Sequence, residues 1–188
     1  TRTTPKQEAR LTTKNPDWAE RASKVFGGGV LANYAIPADA TVVLARGQGS
    51  HVFAVDGREY IDCHLGSGPL LLGHCRPEIV KAVQRQAALG STFHLLHRTI
   101  IELAEQVVEA VPCADTIRFT STGTEATFYS LRVARAFTGR SKVMKFEGGL
   151  HGGNDYAAQS TAPSRPSSYP RSIPDSDGIP GDVSASVL

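Results

Sequence analysis

Long apolar runs are missing from this sequence. No stretch approaches the roughly 20 apolar residues that a membrane-spanning helix needs. The first residues, Thr1-Arg-Thr-Thr-Pro5, carry no hydrophobic segment of the signal-peptide or anchor type. The expectation is therefore no membrane partner. Position 1 is not a methionine, so the start is expected to be processed or left out. An excess of one charge is missing too: 20 lysines and arginines face 18 acidic residues, a net charge of +2. That balance gives no footing for nucleic acid or for an anionic surface. Cysteine is scarce. Cys63, Cys75 and Cys113 form no Cys-x-x-Cys pair, and their odd number argues against a disulfide framework. Reduced thiols in a cytoplasmic protein are the simpler expectation.

What is present is ordinary in bulk and specific in places. A hydrophobic share of 40% and a charged share of 20% suit a globular protein. The length of 188 residues suffices for one domain, with a smaller appendage at most. Asn15 and Pro16 read as a helix cap and first-turn proline, with the helix running to about Val25 and Gly27–Gly29 ending it. Val42–Ala45, Val52–Val55 and Glu59–Asp62 follow as short strands, the last two joined by the tight-turn pair Asp56-Gly57. This is a small antiparallel unit.

Helices then alternate with strands. Pro77 opens a helix whose Ile79, Val80, Val83 and Ala87 share a face, with Gly90 at its close. Ile100, Leu103, Ala104, Val107, Val108 and Val111 repeat at helical spacing until Pro112. Residues 116–120 read as a strand, a helix from about Thr124 ends at Gly139, and residues 142–146 read as another strand. The alternation predicts an α/β fold whose sheet is mainly parallel and flanked by helices. Residues 1–75 form the N-terminal segment, 76–159 begin a larger domain, and 160–188, rich in serine and proline, are loop or disordered. Two clear parallel strands cannot cover their own faces and edges, so the chain is expected to be the front part of a larger protein.

Chemistry concentrates in two segments. Phe119-Thr-Ser-Thr-Gly-Thr-Glu-Ala126 reads as a strand running through a small-residue turn into a helix. Such a turn aims backbone N–H groups, hydroxyls and a helix N-terminus at one spot, which is a seat for a phosphate. The plainer reading is a helix cap by Thr122 or Thr124, with Glu125 in the first turn; a cap and an anion seat use the same groups. Lys145-Phe-Glu-Gly-Gly-Leu-His-Gly152 reads as a neighbouring strand ending in a glycine-rich loop that carries a histidine. Together they suggest a phosphorylated cofactor at the C-terminal ends of neighbouring strands.

These segments, with Tyr60-Ile-Asp62, Gly68-Pro-Leu-Leu-Leu-Gly-His74, Arg132-Val-Ala-Arg135 and Phe137-Thr-Gly-Arg140, stand in an order and spacing that resembles the class III aminotransferases. Those are pyridoxal-phosphate enzymes of fold type I, and the likeness is closest to the glutamate-1-semialdehyde aminomutase group. The resemblance runs from about Gly28 to about Gly153, with an echo at Gly178-Ile-Pro180. It implies that Thr122, Gly123 and Thr124 bind the phosphate of pyridoxal 5'-phosphate. It implies that Leu150 covers the ring, where the family usually places an aromatic, and that His151 lies beside it. Leucine lacks a π-face, so cofactor retention is expected to be weaker than in aromatic-bearing relatives. Ser67 takes a substrate-pocket position that is aromatic in the semialdehyde group, and Ser121 stands where asparagine is common.

The resemblance further implies a homodimer that moves an amino group between an amino donor and a carbonyl acceptor, or within one substrate. Racemisation or decarboxylation on the same fold, or a non-catalytic piece needing a second chain, are the alternatives. The Schiff-base lysine and the acid paired with the pyridine nitrogen have no counterpart here; neither Lys142 nor Lys145 matches the family's lysine. No catalytic residue is therefore assigned within the chain. His94 and His97, with His64 and His74, lack a carboxylate or cysteine at metal-binding spacing, so no metal is expected. Arg132, Arg135 and Arg140 read as a solvated face.

Overall fold

The structure is a computed structural model that describes residues 18–29, 31, 41–165 and 168–188. The expected cap at Asn15 and Pro16 lies outside them. The chain divides into two compact units, with the boundary between Leu95 and Leu96.

The first unit opens with helix α1, Trp18–Val25, ended by the glycine turn Gly27–Gly29. An antiparallel sheet follows in the order β1 (Leu44–Gln48), β2 (His51–Ala54), β3 (Glu59–Ile61). Alternation on β2 buries Val52 and Ala54. The turn into β3 is closed by Asp56, whose carboxylate accepts the Arg58 backbone N–H at 3.0 Å, while Gly57 takes φ +89°. The antiparallel unit is thus as expected, but β1 starts two residues later than Val42 and continues through Gly47. The reason is tertiary. A side chain at Gly47 would place its Cβ 2.5 Å from Cγ of His74, so only glycine lets the strand pass there.

His74 is the pin of this unit. Its backbone exchanges hydrogen bonds with Gly49, at 2.7 and 2.9 Å, and its Nε2 meets Asp62 Oδ2 at 2.7 Å. The other oxygen of Asp62 accepts the N–H groups of His64 and Leu65. Helix α2, Pro77–Ala87, follows with proline in its first turn.

The second unit contains α3 (Arg98–Ala110), α4 (Gly123–Thr138) and a short α5 (Gly181–Ser184). Helix α4 ends at Gly139 in the left-handed conformation, φ +67°. The strands expected at 116–120 and 142–146 are not formed, so no parallel sheet is present among the described residues. What exists of it is one parallel bridge, Val143 with Val187, flanked by backbone bonds from Val143 N to Ser186 O, Lys145 N to Leu188 O and Leu188 N to Val143 O. A parallel strand needs hydrogen-bonding neighbours and two covered faces, and here Met144 and Phe146 are 83% and 87% exposed. The helices carry the apolar stripes that the spacing predicted, yet none buries a residue fully.

The core of this unit lies instead around Ala157 and Val187. Beside them the fully enclosed Gln159 donates from Nε2 to Asp155 O and Ser184 Oγ, and its Oε1 accepts from Ser172. Residues 160–165 and 168–188 are mostly turns and bends, tied back by Ser160 to Ile173 and by Asp175 to Thr161.

Candidate functional site

Thr122 is extended, at φ −145° and ψ 158°, and its hydroxyl accepts the Glu125 N–H at 3.1 Å. It is the N-cap that the sequence allowed. Glu125 reaches back so that its carboxylate accepts the Ser121 N–H at 2.7 Å, a variant of the capping box. The first N–H groups of a helix have no partner within it. Among the described residues none accepts from Gly123 or Thr124 N–H. Gly123 carries no side chain to shield them, and a Cβ there would meet open space. The turn is exposed rather than sealed.

The hydroxyls are as informative as the amides. Thr122 Oγ1 accepts from Glu125, and Thr124 Oγ1 accepts from the Gly153 N–H at 3.1 Å. A hydroxyl that accepts still has its own proton to give. The turn therefore gathers two N–H groups, two hydroxyls and the N-terminus of a 16-residue helix, the donor types that an anion takes.

The glycine-rich loop lies directly against this turn. Gly152 sits at φ +100°, and a Cβ on it would fall 2.7 Å from Cα of Thr124. The ring of His151 folds over Gly149, where a Cβ would come within 2.7 Å of Nε2. Leu150 is 73% exposed, its side chain offered outward. Thr122, Gly123, Thr124, Leu150 and His151 are thus brought into one unit at one helix end. Ser67 belongs to the other unit, where its hydroxyl pairs with His64 Nε2 at 3.0 Å and its backbone takes φ +69°.

Three residues escaped sequence reasoning. Thr127, one turn into α4, bonds His151 O at 2.7 Å, and Asn154 Nδ2 donates to Thr127 at 3.2 Å. Gly152 supplies the close approach. A lone threonine inside a helix leaves no signal of a partner 24 residues away. The arginines, read as a bare solvated face, are in part stacked: Arg135 lies 4.0 Å over the Tyr156 ring, and Arg132 4.6 Å over Phe128. Lys145 is half-buried with its ammonium on the Gln159 carbonyl, and burial pulls its pKa below the ordinary lysine range. His97 caps α3 by accepting from Thr99, while the His64 N–H and the His74 ring both engage Asp62.

The geometry can now be set beside known proteins. A glutamate-1-semialdehyde 2,1-aminomutase of Methanothermobacter thermautotrophicus is 43% identical over 93% of this chain and 40% of that protein. A solved omega-transaminase from Sphaerobacter thermophilus matches the backbone with a TM-score of 0.84 and 37% identity, over 92% of this chain and 40% of the other. A transaminase solved with PLP bound gives a TM-score of 0.81 and 30% identity, over 100% of this chain and 42% of its own. The chain thus spans about 40% of the length of the relatives it matches. The family model for class-III aminotransferases matches residues 34–180. With that match over most of the sequence, the chain belongs to the class-III aminotransferase family.

Proposed function

We propose that the chain is the front part of a pyridoxal-phosphate-dependent enzyme that moves an amino group. It acts as a transaminase between an amino donor and a carbonyl acceptor, or as an aminomutase that returns the group to its own substrate. The observation that carries this reading is the donor set at Thr122–Thr124. Its amides, without acceptors among the described residues, and its two hydroxyls, each able to donate, fit a phosphate dianion better than a helix end needing only a cap. When bound, the cofactor supplies an electron sink that renders a bond at the substrate α-carbon labile.

The chain's own residues orient that group. Thr122, Gly123 and Thr124 hold the phosphate, Leu150 covers one face of the ring by dispersion, and His151 flanks it. Ser67 shapes the substrate pocket. Lys145 is not the cofactor-linking lysine, because its ammonium is committed to the Gln159 carbonyl. That lysine, and the acid paired with the ring nitrogen, belong to a part of the enzyme other than this chain.

The same reading assigns residues 1–75 to an N-terminal segment, 76–159 to the start of the cofactor-binding domain and 160–188 to a connecting segment. In the complete fold-type-I enzyme the stretches at 116–120 and 142–146 become strands of a mainly parallel sheet, which covers the apolar faces now exposed. A cytoplasmic homodimer is the proposed form. The three cysteines are unpaired and exposed, and among the described residues no helix is long and apolar enough to cross a membrane.

The test is to supply the full-length protein with pyridoxal phosphate, an amino donor and a carbonyl acceptor, and to follow products by chiral analysis. Transfer to the acceptor, or internal transfer, supports the proposal. Racemised or decarboxylated product shifts it to those reactions on the same fold. A protein that takes up no cofactor overturns it.

A further inference from the structure

The hydroxyl of Thr127 joins α4 to the loop that follows Leu150. It has one proton to give, and two carbonyls are near: Thr124 O within its own helix at 3.0 Å and His151 O across the gap at 2.7 Å. The shorter contact takes the proton. The same oxygen accepts from Asn154 Nδ2 at 3.2 Å. Asn154 is itself fixed, since its Oδ1 accepts the Ala157 N–H at 3.1 Å. The loop His151–Asn154 is therefore held at both ends by one side chain of α4. Between those ends Gly153 donates its N–H to the Thr124 hydroxyl at 3.1 Å.

That last contact matters for an anion. With one of its lone pairs taken by the Gly153 N–H, the Thr124 hydroxyl keeps its proton to donate, and the contact fixes where its oxygen lies. If the loop drifts, that contact is lost, and the side chain is free to leave the rotamer that holds its hydroxyl at the helix end.

We propose that Thr127 and Asn154 are positioning residues: together they strap the loop His151–Gly153 to α4, so that Thr124 is held as a hydrogen-bond donor to the cofactor phosphate. The assignment rests on the phosphate reading above. It touches neither ring nor substrate and acts only through Thr124.

The test uses the full-length protein, freed of cofactor, and measures dissociation constants for pyridoxal phosphate and for pyridoxal, which lacks the phosphate. Wild type is expected to prefer the phosphorylated form. Thr127→Val keeps the shape and deletes the hydroxyl; it should weaken pyridoxal phosphate about fivefold, the scale of one hydrogen bond, and leave pyridoxal within about twofold. Thr127→Ser restores the hydroxyl and should recover wild-type affinity. Asn154→Asp keeps the acceptor for Ala157 but loses the donor to Thr127, so it should follow the valine variant. Thermal unfolding of the cofactor-free variants is read alongside. A lowered unfolding temperature with an unchanged preference for the phosphorylated form would make the strap merely structural and overturn the inference while sparing the phosphate site. A wild type that does not distinguish the two compounds would overturn the phosphate site, and the inference with it.

Discussion

Replacing Gly152 by alanine is the sharpest probe of the loop against the helix. The new Cβ would lie 2.7 Å from both Cα and Oγ1 of Thr124 and 3.1 Å from its Cβ. Ordinary contact begins near 3.4 Å, so about 0.7 Å must open, and the nearest atom is helix backbone that cannot swing aside. The residue also sits at φ +100°, where a side chain costs about 1–3 kcal/mol. The loop is the softer partner and moves. The Gly153 N–H to Thr124 Oγ1 distance, now 3.1 Å, then exceeds what a hydrogen bond allows. If about 2 kcal/mol of this cost falls on the cofactor-bound state, affinity for pyridoxal phosphate drops about 30-fold. Gly153→Ala is the control, because its Cβ meets nothing within 4 Å. Fluorescence titration of both variants with the cofactor, with circular dichroism to confirm folding, gives the answer. Equal affinity in two folded variants would refute the docked loop.

Thr122→Ala removes the cap of α4 and one phosphate donor at once. About 1 kcal/mol of helix stability should be lost, and chemical denaturation of the cofactor-free protein should show it; an unchanged midpoint would count against the cap. Leu150→Tyr should slow cofactor release by up to about tenfold, since an aromatic contact adds about 0.5–1.5 kcal/mol; stopped-flow transfer to a scavenging apoenzyme would reveal no slowing if Leu150 does not cover the ring. Asp62 is held below the usual carboxylate range first by its hydrogen bond with His74, then by the Leu65 and His64 N–H groups. Its folded pKa is depressed, so its contribution is present above the ordinary carboxylate pKa and lost as pH falls through the depressed value. Asp62→Asn should flatten the acid limb of the stability curve measured by denaturant titration, and an unaltered limb would remove Asp62 from that role.

Features written within a few residues were legible from the start. Pro77 in the first turn of α2, Thr122 as a cap three residues before Glu125, and Gly139 in a left-handed stop all follow from hydrogen bonds that neighbours in sequence can make. So do the turn at Asp56-Gly57 and the motif order that resembled a family. Contacts between residues far apart were not legible. The bonds from Thr124 and Thr127 to the loop span 24 to 29 positions, and no local preference of a threonine announces them.

Periodicity was not enough to form the strands in this chain. Residues 142–146 have the apolar character of a parallel strand, but a strand exists only where other segments take up its N–H and C=O groups, and here three backbone bonds to residues 186–188 make one short bridge. By itself, then, the sequence determined the helices, their ends and the small-residue turn that opens α4. Tertiary structure decided that the turn before α4 is exposed and that a glycine loop is pressed against it, because those outcomes depend on which distant backbone arrives at each hydrogen-bonding group.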